Sequence, residues 1–128
     1  MKYIESPYFR YIIEPNTFSA GEEKLIDFRK DTKADDRYLP FNYLVIKNLS
    51  SIDIEVIIDD NKQANPILIP AGTVITIENE VFEKLRLKNI SIVSNDRPIY
   101  IEAKREIKEI DILKEILKML GGKVKLSY

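Results

Sequence analysis

"SIDIEVIID", residues 51–59, decides the fold class. Ile52, Ile54, Val56 and Ile58 alternate with Asp53, Glu55, Ile57 and Asp59, and side chains that alternate with a period of two stand on opposite faces of a strand. One face is apolar and the other mostly polar, which is the pattern of a strand buried on one side. Just upstream, "NYLVIKNL" (42–49) is a near-continuous run of β-formers, the pattern of a more deeply buried strand. Asn48, Ser50 and Ser51 join the two, and these residue types favour turns because their side chains hydrogen-bond nearby backbone. Further on, "NPILIPAGTVITIEN" (65–79) holds two short strands, Ile67 to Ile69 and Thr73 to Glu78, punctuated by Pro70 and Gly72. "KLRLKNISIV" (84–93) and "PIYIEAK" (98–104) predict two more, separated by the turn-rich "SNDRP". At the front, "YFRYIIE" (8–14) and "EKLIDFR" (23–29) add another pair. Seven or eight short strands with turn signals between them predict an all-β, antiparallel β-sandwich of jelly-roll-like form.

The period changes once. In "EIDILKEILKMLGG" (109–122) the apolar residues Ile110, Ile112, Leu113, Ile116, Leu117, Met119 and Leu120 fall within one half of a helical wheel, and Asp111, Lys114, Glu115 and Lys118 fill the other. With Asp111 as N-cap and Gly121 as stop, this predicts a C-terminal amphipathic α-helix of about three turns. The expected layout is a sandwich over 1–103, with an inserted charged loop at 29–40, and a helix and tail over 104–128 in the same domain. The helix's apolar half is wider than the ~100° stripe that one-sided packing needs. Either the helix wedges deeply against the sandwich or part of this face meets another subunit, and on the second reading Ile110, Leu113, Leu117 and Leu120 are the expected oligomer interface.

The chain also repeats itself. Ala20-Gly21 is followed by Leu25-Ile26-Asp27, Leu44 to Ser50 ("LVIKNLS") and Ile54-Glu55-Val56. Ala71-Gly72 is followed by Thr76-Ile77-Glu78, Leu85 to Ser91 ("LRLKNIS") and Ile99-Tyr100-Ile101. The order of pieces is the same, and "RKDTKADDRYLP" (29–40) accounts for the extra length of the first copy as an inserted, solvated loop. On this reading Gly21 and Gly72 permit a left-handed bend into a strand, while Asn48 and Asn89 turn the chain out of one. Both are scaffold and not chemistry. "NLS" and "NIS" match glycosylation acceptors, but they read better as these turns.

Composition narrows the function. The 128 residues suffice for one domain with its own core. There are no cysteines and no histidines, which removes disulfides, thiolate nucleophiles, the usual general base and the commonest metal ligand. With 20 basic and 21 acidic residues and a net charge of −1, nothing points to a nucleic-acid partner. The start of the chain lacks the apolar core of a signal peptide, and no segment reaches a membrane span of about 18 apolar residues, so a soluble protein is expected. The Ile, Lys and Glu bias suits a thermophile or an AT-rich genome. "DDNKQAN" (59–65) lacks the spacing and closing Glu of a calcium loop, and Asp31, Asp35 and Asp36 are interleaved with Lys30, Lys33 and Arg37. No catalytic residue, cofactor site or metal site is predicted. Rings spaced this way are usually core or subunit contacts, but rings can also stack on sugars, and Tyr38, Phe41 and Tyr43 beside the inserted loop are the expected lining of any ligand or partner site.

"YLVIKNLSSIDIEVIID…ILIPAGTVITIENEVFEKLRLKNIS" resembles small β-sandwich virion proteins of tailed phages, prophages and archaeal viruses, over roughly Tyr43 to Glu102. The resemblance implies a non-enzymatic virion component that forms homo-oligomers and contacts other assembly proteins. A jelly roll of this size is also similar to the cupins, but their metal site depends on histidines that this chain lacks. Two alternatives stand beside the virion reading: a monomeric ligand-binding module, for carbohydrate or a protein partner, and a cellular protein of a thermophile.

Overall fold

The computed structural model describes residues 7–59, 64–106 and 116–117. Among them, eight strands run in chain order: β1 Phe9–Ile13, β2 Glu23–Asp27, β3 Phe41–Asn48, β4 Ile54–Ile58, β5 Ile67–Ile69, β6 Thr73–Phe82, β7 Lys84–Asn89 and β8 Ile99–Lys104. They form two four-stranded antiparallel sheets, β1-β8-β3-β6 and β2-β7-β4-β5. The alternation that predicted β4 is borne out in its first half, with Ile54 and Val56 buried and Ile52 buried just ahead of the strand, while Ile57 and Ile58 are both half-buried. Inward residues of both sheets, among them Leu44 and Ile46 of β3, Ile54 and Val56 of β4, Leu85 and Leu87 of β7 and Ile99 and Ile101 of β8, belong to one apolar core.

The repeat is visible in the strand order. Exchanging each strand for the one four places away in the chain turns β1-β8-β3-β6 into β5-β4-β7-β2, which is the other sheet read from its far edge. Register follows the same rule. Asn48 of β3 lies opposite Thr73 and Ile99, while Asn89 of β7 lies opposite Ile54 and beside Glu22, to whose carbonyl it donates its backbone N–H at 3.0 Å. Each half of the chain therefore contributes two strands to each sheet, and neither half holds a complete sheet.

Two expectations change. Residues 29–40 are not a simple solvated loop. The segment between β2 and β3 contains a short helix α1, Phe28–Asp31, and a 3-10 turn, Asp36–Tyr38, and it buries Phe28, Ala34 and Leu39 against the core. Its charges lie on the outside, where the Arg29 guanidinium reaches both Asp36 and Glu83. The apolar residues were hidden among charges because a cap over the end of a sandwich needs only a few inward side chains. Second, β7 stops at Asn89, so "ISIV" (90–93) leaves the sheet. The Ser91 N–H donates to Asn89 Oδ1 at 2.9 Å and Asn89 Nδ2 donates to the Val93 carbonyl at 2.9 Å, a turn that outcompetes the strand propensity of Ile and Val.

The C-terminal helix expected over Ile110 to Leu120 falls outside the described residues except at Ile116 and Leu117, which are helical and half-buried.

Candidate assembly surface

One end of the sandwich carries the connections β1–β2, β3–β4, β5–β6 and β7–β8. Three asparagines, fully buried there, hold these connections together. Asn48 Nδ2 donates to the carbonyls of Ile52 at 2.8 Å, Ile69 at 3.3 Å and Pro70 at 3.3 Å, while its Oδ1 accepts from the Ser50 N–H at 3.2 Å and hydroxyl at 2.7 Å. Asn89 Nδ2 donates to Phe18 at 3.0 Å as well as to Val93. The two amides are equivalent, since Ile69 stands three residues before Gly72 and Phe18 three before Gly21. Each asparagine therefore ties down the glycine turn of the other half. Both glycines have positive φ, +74° at Gly21 and +69° at Gly72, a conformation that costs other residues more. Their burial and spent amides also settle why "NLS" and "NIS" are turns: neither asparagine is presented for modification.

Asn95 does similar work on the β1–β2 connection. Its Oδ1 accepts from the Phe18 N–H at 2.9 Å, and its Nδ2 donates to Glu14 at 2.8 Å and Arg97 at 3.0 Å. The β3–β4 and β7–β8 loops are joined directly. The Ile90 N–H donates to the Asp53 carbonyl at 3.2 Å, the Asp53 N–H to Ser91 Oγ at 2.9 Å, and the Ser51 N–H to Asp96 Oδ1 at 2.7 Å. That last bond is the chief reason the Asp96 carboxyl sits below its ordinary range, with Arg97 adding to it.

On this braced base the chain displays apolar side chains. Ile92 is 94 % exposed, and Leu49, Ile90 and Val93 are exposed on the same two bonded loops. Leu49 and Ile90 occupy the same place in the two halves, one residue after each asparagine. Single exposed apolar residues are ordinary; several on one loop pair with ordered backbone would cost little entropy to dock. The sequence placed "ISIV" in a strand, so this patch was missed; the Asn-x-Ser spacing was the signal that could have ended the strand at Asn89.

The residues expected to line a ligand site lie at the opposite end and do not converge. Phe41 is fully enclosed, with its ring 5.3 Å from Phe28, 5.4 Å from Phe9 and 5.9 Å from Phe82. It is a core residue and offers no face to a ligand. Tyr38 packs on Phe9 at 5.6 Å, with the Arg37 guanidinium over its ring. Tyr43 points away from the core, and the Lys104 ammonium sits 4.8 Å from its ring and 4.8 Å from that of Tyr8. Of the expected oligomer contacts, Ile110, Leu113 and Leu120 lie outside the described residues, and Leu117 is half-buried.

Next to Tyr43, the outer face of the β1-β8-β3-β6 sheet holds a carboxylate that sequence reading missed. Glu102 is 5 % exposed, with Arg10 and Lys47 each 2.6 Å from its oxygens. Burial, the largest influence, pushes its pKa up, but hydrogen bonds and charge from Lys47 and Arg10 together bring it below the ordinary 4.5. A carboxyl whose folded pKa is depressed adds stability above its unfolded pKa and loses it as pH falls through the folded value. Glu102→Gln is thus expected to lower the melting temperature at pH 7 and to close the gap to wild type well below pH 4.5, as checked by thermal melts across that range. A constant gap would show that the ionised form makes no difference.

Among the described residues there is no group of three or more acidic, His or Cys side chains placed to hold a metal, and no helix long and apolar enough to cross a membrane. No family model matches the chain, and no curated protein matches it. Among solved structures, it is similar to the tobacco streak virus coat protein dimer at 9 % identity and a TM-score of 0.35, over 82 % of this chain and 93 % of that one.

Proposed function

We propose that the chain is a non-enzymatic structural protein that associates with further copies of itself, as a component of a virion or similar particle. The observation that carries this reading is the loop end, where buried asparagine amides hold Leu49, Ile90, Ile92 and Val93 out to solvent. The strand order supports it too, since an eight-stranded double sheet of this kind is the jelly roll, in which capsid domains as well as lectins and cupins are built. The sugar-binding alternative loses Phe41 to the core, and Tyr38 and Tyr43 are occupied by neighbouring rings and cations.

Sedimentation velocity over a range of protein concentrations tests the reading. Wild type is expected to associate, and Ile92→Asp to shift the population toward monomer. Because the side chain is exposed, the melting temperature should move by no more than about 2 °C. A wild type that stays monomeric at every concentration sinks the proposal.

A further inference from the structure

Among the described residues, four strands stand at sheet edges: β1 and β6 in one sheet, β5 and β2 in the other. An edge offers unpaired N–H and C=O groups to another chain, and proteins usually blunt it with brevity, proline or charge. Three of these edges are blunted. β5 has three residues between Pro66 and Pro70, β1 has five with Arg10 among them, and β2 has five that include Glu23, Lys24 and Asp27. β6 differs in length: its ten residues, "TVITIENEVF", contain no proline, and its only charges, Glu78 and Glu80, lie in its second half.

Its regular part is Thr73 to Glu78, which pairs residue by residue with Asn48 to Tyr43; beyond it the register shifts before Phe82 meets Phe41. In the regular part Val74, 58 % exposed, points outward together with Thr76 and Glu78, while Ile75 and Ile77 turn toward the core. The charge is lopsided. Thr73 to Thr76 are neutral, and Glu78 and Glu80 make the other half acidic.

That asymmetry sets the direction in which two copies of the strand can pair without facing like charges. We infer that β6 pairs antiparallel with β6 of a second copy about a two-fold axis at Thr76, so that the two four-stranded sheets become one of eight. This rests on the self-association reading above and gives it a second interface, distinct from the loop end. Direct opposites in an antiparallel pair share a face, so Val74 lies against the partner subunit's Glu78, and Ile75 against the partner subunit's Ile77. The neutral half of each strand meets the acidic half of the other, and no glutamate faces its own copy. A parallel pairing stacks like charge on like. The contact is isologous, as a closed dimer requires.

The test reads the sign of one charge. The full chain is compared by sedimentation equilibrium as wild type, Val74→Glu, Val74→Lys and Val74→Glu with Glu78→Lys. Each change occurs twice per dimer, so Val74→Glu should raise the dimer dissociation constant by about two- to thirtyfold, Val74→Lys should leave it unchanged or lower it, and the double variant should restore it. Equal effects of the Glu and Lys variants, or none from either while wild type still associates, overturn the β6 pairing and leave assembly through the loop end standing. A monomeric wild type overturns both. Should Val74→Glu fail to fold by circular dichroism, Thr76→Cys decides instead. The chain has no other cysteine, so copper-phenanthroline oxidation yields a covalent dimer only if the two Thr76 positions meet.

Discussion

Replacing Asn48 with alanine is expected to melt the protein about 12–20 °C earlier, as a loss of about 3–5 kcal/mol spread over a domain of this size. The side chain amide serves the carbonyls of Ile52, Ile69 and Pro70, and its oxygen serves the Ser50 N–H and hydroxyl. All of this lies in a site with no exposure to solvent. Alanine removes the partner and leaves those groups buried, and the cost is then their full desolvation and not the modest net value of a hydrogen bond. Asn48→Asp sharpens the test. It keeps the shape and the accepting oxygen but aims a carboxylate at three carbonyls. Burial and that repulsion raise the new group's folded pKa above its unfolded one, so the variant should be least stable at neutral pH and recover as pH falls through the raised value. Thermal melts from pH 4 to pH 7 read both effects. An Asn48→Ala protein that melts within about 4 °C of wild type, which corresponds to about 1 kcal/mol, would mean that water reaches those carbonyls.

The second large effect belongs to Phe41→Ala. The ring meets Phe9, Phe28 and Phe82 inside the end capped by α1 and Leu39. Its removal opens a cavity that the surrounding rings cannot fill, and large-to-small changes of this kind cost about 3–5 kcal/mol. Tyr38→Ala and Tyr43→Ala, at half-buried positions, are expected to cost less than half as much. Chemical denaturation of the three variants separates core from surface. A Phe41→Ala protein as stable as Tyr43→Ala would return Phe41 to the surface and reopen the ligand reading.

The strands themselves were legible because each obeys a local rule. Alternation over Ile52 to Ile58 needs no knowledge of what the strand pairs with, and glycine at positions 21 and 72 signals positive φ wherever the turns end up. Two failures came from the same source. Phe28, Ala34 and Leu39 sit among charges at no regular period, so nothing local marks them as inward. Ile90, Ile92 and Val93 look like a strand, and only hydrogen bonds from Asn89 take them out of it. Glu102 lies in the expected strand 98–104, but its partners could not be read from it, since Arg10 comes from β1 and Lys47 from β3, 92 and 55 residues away in the chain.

From the sequence by itself came the all-β class, the two repeated phrases, the inserted segment and the absence of histidine and cysteine chemistry, because propensity, period and residue inventory are properties of a few neighbours along the chain. Which half pairs with which was decided only in three dimensions. The halves interleave, so that every sheet draws strands from both and every buried asparagine closes the other half's turn. That arrangement also determines which apolar residues are left outside and which of the described strands stand at the sheet edges. Burial and pairing depend on contacts between residues distant in the chain, and a local pattern contains no record of them.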